Sequence, residues 1–100
     1  MPTLHIEHAI TDFPTWVAAF DRFGDARRNA GVRDARVHQP IDDRQLVVID
    51  LDFDTADEAS TFLRFLEEVV WSTPANAPAL AGTPRSLILE PQAVSPTPVG

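Results

Sequence analysis

Two stretches of this chain alternate apolar and polar residues, and each runs into an amphipathic helical pattern. In Thr3–Ile10, Leu4, Ile6, His8 and Ile10 share one face of a strand, and His5, Glu7 and Ala9 share the other. Asp12 is placed to cap a helix with Pro14 in its first turn, and Phe13, Trp16, Val17, Phe20 and Phe23 then recur at helical spacing. Gly24 weakens that helix, and Asn29–Ala30–Gly31 reads as its stop. The second unit starts at Gln45–Phe53, with Val47, Ile49, Leu51 and Phe53 on one face and Leu46, Val48, Asp50 and Asp52 on the other. Thr55 and Glu58 form a capping-box pattern that opens a helix to about Trp71, with Ala59, Phe62, Leu63, Leu66, Val69 and Val70 facing inward.

Two weaker strands complete the pattern. Val32–Gln39 is richer in charge and stops at Pro40, as suits a sheet edge, with a hairpin turn over Ile41–Arg44. Arg85–Glu90 is the last strand, with Leu87 and Leu89 on one face and Ile88 on the other. Ser72–Pro84, rich in alanine and proline, reads as a loop that could lid a pocket. The order βαββαβ predicts an α+β, ferredoxin-like sandwich with an antiparallel sheet, spatial order four, one, three, two, and both helices on one face. The predicted domain spans residues 1–90, followed by a flexible C-terminal tail over 91–100, where three prolines break any pattern. The uncovered sheet face would carry His5, Glu7, Ala9, Leu46, Val48 and Asp50. That set is too apolar for free exposure and too polar for a dry core, and a two-fold partner resolves the conflict. The expectation is a homodimer whose paired sheets form a dimeric α+β barrel.

Composition narrows the chemistry. A net charge of −7 and a pI near 4.6 argue against nucleic acid as a partner. The chain lacks cysteine, lysine and tyrosine, which excludes disulfides, thiolate metal sites and Schiff-base catalysis by its own side chains. No apolar run is long enough to cross a membrane, and Met1–Pro2 leads straight into a strand pattern. The expected setting is therefore soluble and cytoplasmic, with no membrane partner.

Asp12-Phe13, Trp16 and Phe20-Asp21, followed by Asp50-Leu51-Asp52-Phe53-Asp54, resemble packing signals of the dimeric α+β barrel superfamily. The likeness covers residues 3 to 90 and is nearest to small, uncharacterised bacterial proteins like the antibiotic-biosynthesis monooxygenases. The resemblance implies a small, flat, apolar molecule bound between sheet and helices. It also implies activities that range from cofactor-free oxidation of phenols, through haem binding or degradation, to polyketide cyclisation. The cofactor-free oxidases use a pocket asparagine with tryptophans. This chain departs from that pattern, because Asn29 and Asn76 both fall in predicted turns or loops.

His8 is the candidate catalytic residue, an acid/base group on the face that otherwise carries Leu4, Ile6 and Ile10. The competing reading is a histidine at the core's edge, bonded to backbone or to Asp12. An enzyme built on His8 calls for a cavity of roughly 300 Å³ or more reaching it. Trp16, Phe20, Phe65 and Trp71 are the candidate ligand-pocket residues, with core packing as the plain alternative. His5, Glu7 and Asp50 read as an interface patch in preference to a metal site, and no metal is assigned. Arg27, Arg28, Arg33 and Arg36 read as a solvated face, with an anionic substrate as the alternative. Two functions stay open. One is a dimeric protein that binds a small apolar or aromatic molecule without catalysis, and without a cofactor. The other is a cofactor-independent monooxygenase, cyclase or isomerase acting on an aromatic or polyketide-like substrate.

Overall fold

The computed structural model describes residues 1–93; the rest of the predicted tail, 94–100, lies outside the described residues. Strand β1 (Thr3–Ile10) has the predicted limits. It leads into helix α1 (Phe13–Arg22), where the Asp12 carboxylate accepts from the backbone N–H of Thr15 at 2.8 Å. The helical run breaks at Phe23, one residue before Gly24, and restarts as the short helix α2 (Gly24–Asn29). Gly31 ends it with φ of 96°, in the left-handed region. A Cβ at Gly31 would be strained by that φ and would also push the Glu58 carboxylate aside.

Strand β2 (Asp34–His38) and strand β3 (Leu46–Asp52) are each shorter than the alternation predicts, although Arg33 N–H still donates to the Asp52 carbonyl at 2.7 Å and Phe53 N–H to the Pro2 carbonyl at 2.9 Å. Helix α3 (Ala56–Phe65) opens with the capping box of Thr55 and Glu58, of the kind worth about 1 kcal/mol. The predicted continuation to Trp71 is corrected at Leu66. There the helix widens into a π turn over Leu66–Val70, closed by Trp71 N–H donating to the Leu66 carbonyl at 2.7 Å. The wider turn rotates the frame, so Val70 is buried while Val69 faces out, against the expectation that both point inward.

Strand β4 (Leu80–Leu89) starts well before the predicted Arg85. The loop expected over Ser72–Pro84 therefore ends at Ala79. Two devices make this early start workable. Pro84 lies on an edge strand, where a missing N–H costs no pairing, and Gly82 takes φ of 78°. Opposite His8 the ladder slips: Glu7 pairs with Arg85, yet Ala9 pairs with Ala81, so two steps along β1 face four along β4. This bulge stands beside the one buried histidine.

The four strands run antiparallel in the order β2-β3-β1-β4, as predicted. One sheet face is the core. Leu4, Ile6, Ile10, Val47, Ile49 and Leu51 lie buried there under Trp16, Ala59 and Phe62. Burying such side chains supplies most of the stabilisation, at about 25 cal/mol per Å² of apolar surface.

Candidate functional site

The α1 stripe places its aromatic side chains as a ladder. Phe13 stacks on Trp16 (centroids 5.8 Å apart), Trp16 stacks on Phe20 (4.8 Å), and the Arg27 guanidinium lies 3.6 Å over the Phe20 ring. Under this ladder the sheet contributes His8, which is 6% exposed. The Trp16 indole Nε1–H donates to His8 Nε2 at 3.2 Å. Indole is only a donor, so Nε2 is the acceptor and the proton of the neutral ring sits on Nδ1, 3.3 Å from the Ala9 carbonyl. Burial pushes the His8 pKa down, which favours that neutral form. His8 is thus tied to a side chain as well as to backbone. Asp12, the alternative partner considered from sequence, is occupied by Thr15.

A cavity of about 70 Å³ reaches this histidine. Ile6 and His8 form its floor, Trp16 and Phe20 one wall, and Trp71 the opposite wall, its ring centroid 6.4 Å from that of His8. The π turn sets Trp71 and Val70 on the cavity; a regular helix would have carried them round. The turn that follows is tied down at two points: Arg22 donates to the Ala75 carbonyl and Asn76 to the Val69 carbonyl. Asn76, expected in the Ser72–Pro84 loop, lines the cavity with Ala77. The enclosed space is far smaller than the roughly 300 Å³ expected for a His8-based enzyme.

Three of the four predicted pocket residues, Trp16, Phe20 and Trp71, thus meet around His8. Phe65 does not join them. It packs against Phe23 and Phe62 and lines a shallow groove between α2 and α3.

No protein-family model and no curated protein sequence matches the chain. Solved structures do. A candidate antibiotic biosynthesis monooxygenase from Nitrosomonas europaea superimposes with a TM-score of 0.67 at 15% identity, covering 91% of this chain and 98% of that one. An uncharacterised NIPSNAP domain protein from Burkholderia xenovorans gives 0.60 at 20% identity, covering 97% and 100%. A dimeric ferredoxin-like protein from an uncultured marine organism gives 0.60 at 10% identity, covering 92% and 96%. The chain has the ferredoxin-like α+β fold. At these identities the likeness is one of architecture, and this ferredoxin-like chain must be read from its own side chains.

The uncovered sheet face carries the second cluster. His5 Nδ1 lies 2.6 Å from Asp50 and its Nε2 lies 2.8 Å from Glu7. Both ring nitrogens face carboxylates, which selects the imidazolium. The Glu7 bond, then the Asp50 bond, pushes the His5 pKa up, and His5 in turn pulls Glu7 down. Nearby, Arg36 holds Asp52 with two nitrogens at 2.7 and 3.1 Å and also reaches Asp34. With Thr3, it keeps the Asp52 carboxyl low. Among the described residues no group of three or more ligand-type side chains is arranged to hold a metal ion. Of the four arginines taken as a solvated face, Arg28, Arg33 and Arg36 pair with acids, while Arg27 lines the cavity. The signal for Arg27 is its position seven residues after Phe20, two helical turns along the same stripe, which its charge outweighs in the sequence.

The two histidines respond to pH with opposite signs. The raised pKa of His5 gives a contribution present in full below pH about 6.5 and lost as pH rises through its folded value. His8, with a lowered pKa, opposes the fold as pH drops below about 6.5. His5→Gln is therefore expected to lower the urea midpoint more at pH 6 than at pH 9. An equal loss at both values would contradict the carboxylate clamp.

Proposed function

We propose that this chain is a dimeric protein that binds a small apolar or aromatic molecule in the cavity over His8, without catalysing its conversion. One observation carries the reading: the residue best suited to be a base has its accepting nitrogen occupied by Trp16, inside an apolar cavity. A general base needs a free lone pair within reach of the substrate. Here the lone pair is spent on the pocket wall, and what faces the cavity is mostly aromatic and aliphatic surface. The structures described as monooxygenase candidates lend architecture to this reading and nothing about turnover.

The size of the cavity sets how a ligand enters. About 70 Å³ is below the roughly 150 Å³ of a cavity known to take benzene. A ring-sized ligand therefore displaces Trp71, which is half-buried at the rim and rests on the irregular π turn. Titration with toluene is expected to shift the indole N–H signals of Trp16 and Trp71 saturably, with tighter binding in Trp71→Ala, whose cavity is larger. Unmoved indole signals in both proteins would overturn the pocket.

The dimer is supported by the uncovered face. Leu87 and Leu89 are each 43% exposed there, beside half-buried Leu46 and Val48 and the clamped His5. The marine ferredoxin-like neighbour is described as dimeric. Light scattering at micromolar concentration should give twice the 11.0 kDa chain mass, and Leu87→Arg should return a monomer. A monomeric wild-type chain would overturn the pairing.

A further inference from the structure

Arg27 is out of place in this cavity. The other side chains of the wall are aromatic, aliphatic or neutral, and the chain's net charge is −7. Its guanidinium carbon lies 3.6 Å over the Phe20 ring, and Nη1–H donates to the Phe20 carbonyl at 2.6 Å. That carbonyl, in the last turn of α1, also accepts from Phe23 N–H at 3.1 Å, so Arg27 adds a second donor at the helix end. This bond accounts for one nitrogen. Among the described residues, Nε and Nη2 find no acceptor, and no carboxylate comes within ion-pair distance of Arg27. Asp21 acts on it only through space, and burial outweighs it, pulling the pKa down. Arg28, next in the chain, is exposed and paired with Asp25 at 2.8 Å. The contrast is between a surface arginine with its acid and a part-buried one without.

A cation held on an aromatic ring, in a mostly apolar wall, is a stronger anion receptor than the same group in water. Its planar fork is also pre-oriented by the stack, so little side-chain freedom is lost on binding. We infer that Arg27 reads an acidic group on the ligand, making the preferred ligand of this cavity an aromatic or apolar monocarboxylic acid. The ring lies against Trp16 in the space that Trp71 yields, and the carboxylate takes the free guanidinium N–H groups. His8, neutral and committed to Trp16, adds no charge of its own to compete. This inference rests on the binding function proposed above and adds the chemical class of the ligand to it.

Benzoate and benzyl alcohol share a ring and differ in charge, so they separate the two claims. Both are titrated at pH 7 into the wild-type chain, Arg27→Gln and Arg28→Gln, following the indole N–H signals of Trp16 and Trp71. Benzoate should bind at least about tenfold more tightly than benzyl alcohol to the wild type and to Arg28→Gln. In Arg27→Gln the preference should vanish, the two affinities becoming equal. If the wild type binds both equally, or if Arg27→Gln keeps the preference, the role of Arg27 is overturned while the cavity stands. If Arg28→Gln loses the preference as fully as Arg27→Gln, the effect is a general surface field and the inference is overturned. If neither probe binds the wild type, the binding function falls, and this inference with it.

Discussion

The hydrogen bond from the Trp16 indole to His8 Nε2 joins the two layers of the molecule. It is buried, so each partner would carry a desolvation penalty of about 1–3 kcal/mol if left alone. The sheet supplies the histidine at a position where the alternation otherwise puts leucine or isoleucine. The helix supplies the only kind of aromatic side chain that can donate without also accepting. Because each satisfies the other, a polar group persists under a helix without an unmet bond: among the described residues no buried side-chain nitrogen or oxygen lacks a partner. The same bond occupies the Nε2 lone pair, the one that proton abstraction would use.

Around this contact, irregular backbone shapes the space. The bulge in β4 opposite His8, the left-handed Gly82 and the π turn at Leu66–Val70 all fall on its flanks. Each departs from ideal geometry, and departures of this kind concentrate where a fold makes room for a ligand. The regular elements remain elsewhere: the capped starts of α1 and α3 and the unbroken β1–β3 ladder. The sheet has two characters as a result. One face is an apolar core with a small cavity; the other is a web of His5, Glu7, Asp50, Arg36 and Asp52 edged by leucines.

Much of this was legible in the residues. Period-two alternation placed β1 to the residue, and the Asp12 and Thr55 caps placed the starts of both main helices. His5 meeting Glu7 and Asp50 followed from strand register and facing. What was not legible was irregular. A π turn has no side-chain signature, so Val69 and Val70 looked alike. Pro84 and the alanines hid the start of β4, because an edge strand tolerates residues that a central strand would reject. Arg27 groups by charge with Arg28, Arg33 and Arg36, and a charged residue on an apolar helical stripe reads as surface until the packing shows otherwise. Phe65 fits the same helical period as the cavity residues yet turns to the groove beside α2.

Nitrogen-15 NMR of the histidine rings tests the central claim most directly, because it reports which imidazole nitrogen holds the proton. At pH 7 the His8 ring should be neutral, protonated on Nδ1, with Nε2 accepting, and Trp16→Phe should shift the Nε2 signal toward that of a free acceptor. An imidazolium at His8 at pH 7, or a proton on Nε2, would contradict the account.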